Sequence, residues 1–151
     1  MDIDELDSKI LTALTQAGRI RWSALADQFG VSAPAIADRV RRLETAGIIT
    51  GYTAQLSAEA LGVDLTAFVA VTLEHSRYRQ GFAEFVQASS CVQSCHHVVG
   101  DADYLLKVRC RSTAALEHFL SDALKALPGI VQTRTTIALS TMKDLAVLPL
   151  D

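Results

Sequence analysis

The sequence lacks a long hydrophobic run, an excess of basic charge and an even number of cysteines. No stretch approaches the roughly 18 consecutive apolar residues of a membrane span. The opening MDIDELDSKI is acidic where a secretory signal would be basic and then apolar. The odd set of Cys91, Cys95 and Cys110 argues against a disulfide framework. We therefore expect a cytoplasmic protein with reduced thiols and no membrane partner.

The composition is that of a globular protein. Half of the 151 residues are apolar and 21% are charged, which is enough hydrophobic material for a core. The length admits one domain or two small ones. With a formal net charge of −3, the chain has no general basic excess, so any surface that binds nucleic acid must be locally basic.

The first 56 residues predict three short helices followed by a wing. Apolar residues at helical spacing predict helices over residues 4–17, 23–29 and 32–47. The partial alternation of Ile48–Leu56 predicts a small hairpin or wing. The second and third helices are joined by a tight GVS turn, which is the spacing of a helix-turn-helix. Residues 1–56 are thus predicted to form a winged helix-turn-helix domain.

The third predicted helix has a face suited to a DNA groove. If Ile36 points to the core, a step of about 100° per residue turns Arg41 and Arg42 outward, where they can contact phosphates or guanine edges. The free N–H groups at the helix start can hold a phosphate. A solvated basic face on an ordinary three-helix unit fits the charges equally well, and the helix-turn-helix spacing favours DNA. The predicted DNA-contacting residues are Ser32, Ala33, Pro34, Ala35, Asp38, Arg39, Arg41 and Arg42.

From Leu65 onward the hydrophobic period changes to two, which indicates strands. Strands are predicted over residues 65–73, 92–99, 104–110 and 130–139, with helices over 79–88 and 113–126. The order β-α-β-β-α-β predicts a ferredoxin-like domain with an antiparallel sheet over residues 65–151, so the whole chain is α+β. Residues 57–64, around Gly62, are the predicted linker.

Two long segments carry a family resemblance. The run ILTALTQAGRIRWSALADQFGVSAPAIADRVRRLETAGIITGYTAQL resembles the DNA-binding half of the leucine-responsive and asparagine regulators, the Lrp/AsnC family. CHHVVGDADYLLKVRC followed by LPGIVQTRTTIAL resembles the family's regulatory domain in order and spacing. The resemblance implies a transcriptional regulator of promoter DNA that forms a homodimer across its C-terminal sheets, with dimers assembling to a tetramer or octamer. It also implies an amino-acid effector near the glycine turn, at an interface between subunits.

The chemistry of the GDADY turn agrees with such an effector site. A zwitterionic amino acid needs an anionic acceptor for its ammonium group and N–H donors for its carboxylate. An aspartate-rich glycine turn offers both, although glycine and aspartate are also standard residues of a plain hairpin connection. The family resemblance favours the effector site. Its predicted residues are Gly100, Asp101, Asp103, Tyr104, Thr133 and Thr135.

Two further classes of function compete with this interpretation. Cys91, Cys95 and His97 raise the alternative of a metal- or redox-responsive regulator. Because neighbouring residues of a strand face opposite ways, His96 and His97 cannot converge on one ion, and we predict no metal site. An enzyme is the weakest alternative, since no nucleophile with a base and no phosphate-cradling glycine loop is visible. We expect no catalytic residues and no cofactor.

Overall fold

The computed structural model describes residues 2–144 and 148–149. The remaining part of the predicted ferredoxin-like domain, residues 145–147 and 150–151, lies outside them. Contacts divide the chain into two compact units: the first consists of residues up to Gln55 together with the described residues from Asp144 on, and the second of Leu56–Lys143. The first contains three helices: α1 (Glu5–Gln16), α2 (Trp22–Phe29) and α3 (Ala33–Thr45).

Short-range hydrogen bonds set the helix boundaries of the first unit. At the start of α1, the Asp7 N–H donates to Asp4 Oδ1 at 2.8 Å, and the Asp4 N–H donates to Asp7 Oδ2 at 3.4 Å, which makes a capping box. Ser32 caps α3 by accepting a hydrogen bond from the Ala35 N–H at 3.3 Å. Helix α2 ends at Gly30, whose φ of 68° turns the chain tightly into α3.

The three helices share one hydrophobic core. The buried stripe of α3 consists of Ile36, Val40 and Leu43, each at most 2% exposed, so Ile36 does point to the core. Ile36 and Val40 pack with apolar side chains of the other two helices. That cluster also contains Ile10, Leu14, Leu25 and Ala26.

The predicted hairpin is wrong, because Ile48–Leu56 forms no strand. Two backbone N–H groups that follow the α3 terminus donate to the Leu43 carbonyl at 2.9 and 3.2 Å, so the chain folds back onto the helix end. The Tyr52 hydroxyl then donates to Glu44 Oε1 at 2.8 Å. The partial alternation of this segment is too short to determine a hairpin, since an isolated pair of strands is at best marginally stable in water.

The second unit has the predicted order of elements. These are β1 (Leu65–Leu73), a 3₁₀ turn (Ser76–Tyr78), α4 (Arg79–Ala88), β2 (Val92–His97), β3 (Tyr104–Cys110), α5 (Thr113–His118), a π-helical continuation (Phe119–Leu124) and β4 (Ile130–Ile137). The strands form one antiparallel sheet in the order β2-β3-β1-β4. The ferredoxin-like α+β prediction is confirmed.

The two faces of this sheet have different surroundings. On one face, Val69 and Leu106 are fully buried against side chains of α4, of α5 and of its π-helical continuation. We call this the helix-covered face. The residues that alternate with these along each strand point to the opposite face, which we call the open face. Phe68 and Leu105 are exposed there. No helix among the described residues is long and apolar enough to cross a membrane.

Candidate DNA-binding and effector surfaces

The exposed side of α3 carries most of the predicted DNA-contacting residues. Its first turn leaves backbone N–H groups that lack helical partners, next to the Ser32 cap. Ala33 and Ala35 are half-buried, and their short side chains permit a close approach to the helix backbone. The residues that the structure leaves exposed on this helix and its cap include Ser32, Pro34, Asp38, Arg41 and Arg42.

Arg41 makes a surface contact within its own helix. Its Nη1 lies 3.1 Å from Asp38 Oδ1, and both side chains are largely exposed. An exposed ion pair three residues apart on a helix contributes little to stability. A DNA phosphate can therefore replace Asp38 as the partner of Arg41 at small cost.

Arg39 is placed differently from the prediction. Its Nη1 donates to Asp4 Oδ2 at 2.5 Å and to Asp7 Oδ1 at 2.8 Å, and only 27% of the side chain is exposed. The hydrogen bond to Asp4, and after it the one to Asp7, raise the pKa of Arg39. The guanidinium joins α3 to α1, and the contact of Arg39 with DNA stays a prediction.

Asp7 is the residue of this unit that sequence reasoning missed. Its carboxylate is fully buried, and besides Arg39 it contacts Arg42 Nη2 at 3.4 Å, while 56% of the Arg42 side chain stays exposed. The sequence signal was the spacing Asp4-x-x-Asp7 before an apolar run, which is a capping-box pattern. That pattern predicts the cap but not the long-range partners.

A groove on the open face lies beside the predicted glycine turn. It is open to solvent and has a volume of about 280 Å³, just below the usual range of ligand sites. Gly100 has a φ of +154°, and no heavy atom lies within 4 Å of the position that a Cβ would take, so the turn backbone is accessible. The groove is lined by Phe68, Ala70, Val98, Val99, Gly100, Asp101, Ala102, Tyr104, Leu105, Arg134 and Thr136.

Two opposite charges stand in this groove. Arg134 Nη2 lies 4.0 Å from Asp101 Oδ2, and the two side chains are 66% and 91% exposed. The apolar side chains of Phe68, Ala70 and Leu105 also line the groove. Arg134 was missed although it stands between the two predicted threonines. Because residues along a strand alternate between its two faces, Arg134 must point to the side opposite to Thr133 and Thr135, and this alternation could have identified it.

Asp103 has a structural role in the turn. Its Oδ2 accepts a hydrogen bond from the Leu73 N–H at 2.8 Å, its own N–H donates to the Val71 carbonyl, and its carbonyl accepts from the Val98 N–H. The side chain is half-buried and does not line the groove. Asp103 thus fixes the turn against the end of β1, and its predicted contact with the effector stays a prediction.

Tyr104 is mostly part of the core. It is 8% exposed, and its ring lies 4.7 Å from that of Phe82 and 5.0 Å from that of His97 between centroids. Although Tyr104 also borders the groove, its ring packs on the helix-covered face. Tyr104 therefore acts mainly as a core residue next to the groove and contributes little polar surface to the groove itself.

Thr133 and Thr135 lie on the wrong face for the predicted wall. They pair with Val71 and Val69, which are fully buried on the helix-covered face. Residues directly opposite in an antiparallel pair point to the same side. The threonines therefore do not line the groove, whereas Arg134 and Thr136 of β4 do, and the part of Thr133 and Thr135 in an effector site stays a prediction.

The cysteines give no support to the metal- or redox-responsive alternative. Cys95 and His97 pair with Leu106 and Tyr104, so both lie on the helix-covered face. Burial raises the pKa of all three thiols, which disfavours the reactive thiolate. Across residues 2–144 and 148–149, no three histidine, cysteine or acidic side chains come together as metal ligands.

Both units match known families in sequence. Residues 3–44 match the AsnC-type helix-turn-helix domain, and residues 66–148 match the Lrp/AsnC ligand binding domain. The chain is 39% identical to the leucine-responsive regulatory protein of Escherichia coli, with 95% of this chain and 88% of that protein covered. It is 38% identical to the Bkd operon transcriptional regulator of Pseudomonas aeruginosa, with coverage of 93% and 94%.

Solved structures agree with these matches. A transcriptional regulator of Neisseria meningitidis in complex with L-methionine superposes with a TM-score of 0.96 at 32% identity, covering 99% of this chain and 98% of that one. Escherichia coli AsnC superposes with a TM-score of 0.92 at 32% identity, covering 99% and 100%. A helix-turn-helix unit, a ligand-binding ferredoxin-like unit and relatives over nearly the full length show that the chain belongs to the Lrp/AsnC family of transcriptional regulators.

Proposed function

We propose that this regulator binds promoter DNA through the exposed face and the start of α3. The observation that carries the proposal is a capped helix start together with two exposed arginines, Arg41 and Arg42, on the second helix of a helix-turn-helix. Such a helix lies in the major groove with its first residues near base edges. Ser32 and the first-turn N–H groups would then bind a phosphate, and the arginines would bind phosphates or guanines.

The DNA proposal is tested by selecting binding sites from a random pool of duplexes with the wild-type protein. The expected result is an enriched sequence that binds more tightly than a scrambled duplex in fluorescence anisotropy titrations. Enrichment of no sequence at any salt concentration would contradict it.

The effector that fits the groove best is an amino acid with an apolar side chain. Asp101 can accept from the ammonium group, and Arg134 together with the backbone near Gly100 can donate to the carboxylate. The Phe68, Ala70 and Leu105 side chains would then contact the effector side chain. A regulator of Mycobacterium tuberculosis with a TM-score of 0.86 and 35% identity is also complexed with L-methionine, so L-methionine and L-leucine are the first compounds to test.

A thermal-shift panel of the common amino acids tests the effector proposal. A ligand that binds only the folded protein raises the melting temperature by mass action. We expect the apolar L-amino acids to give the largest shifts and the D-enantiomers to give none. A panel without any shift would contradict an amino-acid effector.

We further propose a homodimer formed through the open face of the sheet. The two helices of the second unit cover only the other face, and Phe68 and Leu105 are left exposed on this one. A second copy would bury them and would border the groove, which links effector binding to assembly. Light scattering at micromolar concentration should report a dimer or a multiple of it, and a monomer would contradict the proposal.

A further inference from the structure

The buried carboxylate of Asp7 contacts two arginines of α3. Asp7 is 0% exposed, its Oδ1 accepts from Arg39 Nη1 at 2.8 Å, and its Oδ2 lies 3.4 Å from Arg42 Nη2. Charged side chains are almost never fully buried unless they are paired. We propose that Asp7 is a positioning residue for DNA recognition, which fixes the rotation of α3 about its own axis. The inference rests on the proposed DNA-binding function of that helix.

The geometry of the contacts gives Asp7 a directional role. Arg39 and Arg42 are three residues apart, so they lie on one flank of α3. The apolar contacts of Ile36 and Val40 hold α3 against the core, but hydrophobic contacts are non-directional and tolerate small rotations. Charge-assisted hydrogen bonds to a fixed carboxylate depend on distance and angle, so they define which residues face the DNA.

The charges make this role measurable. Asp7 neutralises part of the positive charge of Arg42, whose side chain is more than half exposed and within reach of a phosphate. Removal of the Asp7 charge would free positive charge for any DNA phosphate, which strengthens non-specific binding. The same change would loosen the helix and weaken specific binding. These effects have opposite signs, whereas partial unfolding would weaken both kinds of binding together.

Asp7→Asn and Glu5→Gln form a matched pair of variants. Each removes one negative charge from α1, but Glu5 is exposed and pairs with Lys9 of its own helix. Affinities are measured for the duplex selected by the wild-type protein and for a scrambled duplex, over a range of salt concentrations. We expect Asp7→Asn to lower the ratio of specific to non-specific affinity on the order of tenfold, the size of one mismatched base pair. Its binding to the scrambled duplex should be unchanged or tighter, and Glu5→Gln should keep the wild-type ratio.

Equal ratios in Asp7→Asn and wild type would overturn the positioning role while leaving the DNA-binding function intact. A wild-type protein that selects no sequence would overturn the DNA-binding function and this inference with it. If circular dichroism shows that Asp7→Asn does not fold, Arg39→Lys replaces it, because lysine keeps the charge but not the forked geometry. A lower ratio in Arg39→Lys then supports the positioning role, and an unchanged ratio overturns it.

Discussion

The helix-turn-helix unit and the sheet unit each contain an aspartate paired with an arginine, but the two pairs differ in burial. Asp7 is fully buried and holds Arg39 at 2.8 Å, whereas Asp101 and Arg134 are both largely exposed and 4.0 Å apart. A buried pair is costly to break because an unpaired charge would remain out of water. An exposed pair is worth little and exchanges partners readily. The first pair is therefore suited to positioning, and the second to receiving a charged ligand.

The largest expected effect is on the buried pair. Asp7→Ala should lower the free energy of unfolding by about 3 kcal/mol, at the lower end for a broken buried pair because both arginines can regain water. Urea unfolding followed by fluorescence of the single tryptophan, Trp22 on α2, reports on this unit. Asp38→Ala removes a carboxylate from an exposed pair and is the control, with an expected loss below about 1 kcal/mol. Equal losses of unfolding free energy in Asp7→Ala and Asp38→Ala would contradict the proposed difference between the buried and the exposed pair.

The exposed pair should matter for ligand rather than for stability. Once the thermal panel has given an amino acid that binds, Asp101→Ala and Arg134→Ala should each weaken it by about 2 kcal/mol, a roughly thirtyfold higher Kd. Calorimetry measures this. Thr133→Val, on the helix-covered face, should leave Kd unchanged and serves as the control for β4. Wild-type affinity in Arg134→Ala would move the carboxylate site elsewhere in the groove.

The arginines of α3 should differ in the same way, since some should contribute to DNA binding and one to stability. Arg41→Ala or Arg42→Ala should weaken DNA binding by about 1 kcal/mol, roughly fivefold in Kd, and flatten the salt dependence by about one unit of slope. Arg39→Ala should lower the stability of the unit instead and leave the slope unchanged, since Arg39 is engaged with Asp4 and Asp7. A flatter slope in Arg39→Ala would show that this guanidinium reaches DNA after all.

The smallest expected effect concerns pH. The hydrogen bond from Arg39, and after it the one from the Asp7 backbone, lower the pKa of Asp4 below its ordinary 3.8. A carboxyl whose pKa is depressed on folding contributes stability above its unfolded pKa and loses that stability as pH falls through the folded value. The stability difference between wild type and Asp4→Asn should thus be present at pH 7 and shrink below about pH 4. Chemical denaturation at several pH values measures it, and a difference independent of pH would contradict the assignment.

Local patterns were sufficient for most of the fold. Gly30 ended α2 and the Ser32 cap began α3, and the alternation from Leu65 to Leu73 predicted the strand. The hairpin predicted over 48–56 failed because alternation over so few residues does not determine whether a partner strand exists. The turn around Gly100 was found, but the role of Asp103 was not, since an aspartate in a turn is equally suited to bind a ligand or a backbone N–H.

The sequence by itself determined the two units, the order of their elements and the helix whose polar side is available to DNA, because helical and strand periodicities depend on neighbouring residues. Tertiary structure decided which aspartates and arginines are engaged in long-range contacts within the protein. Arg39 finds its partners 32 and 35 residues away, and Asp103 bonds a strand 30 residues away. It also decided that Arg134 faces the groove while Thr133 and Thr135 do not, because the side of β4 that meets the helices is fixed by its pairing with β1.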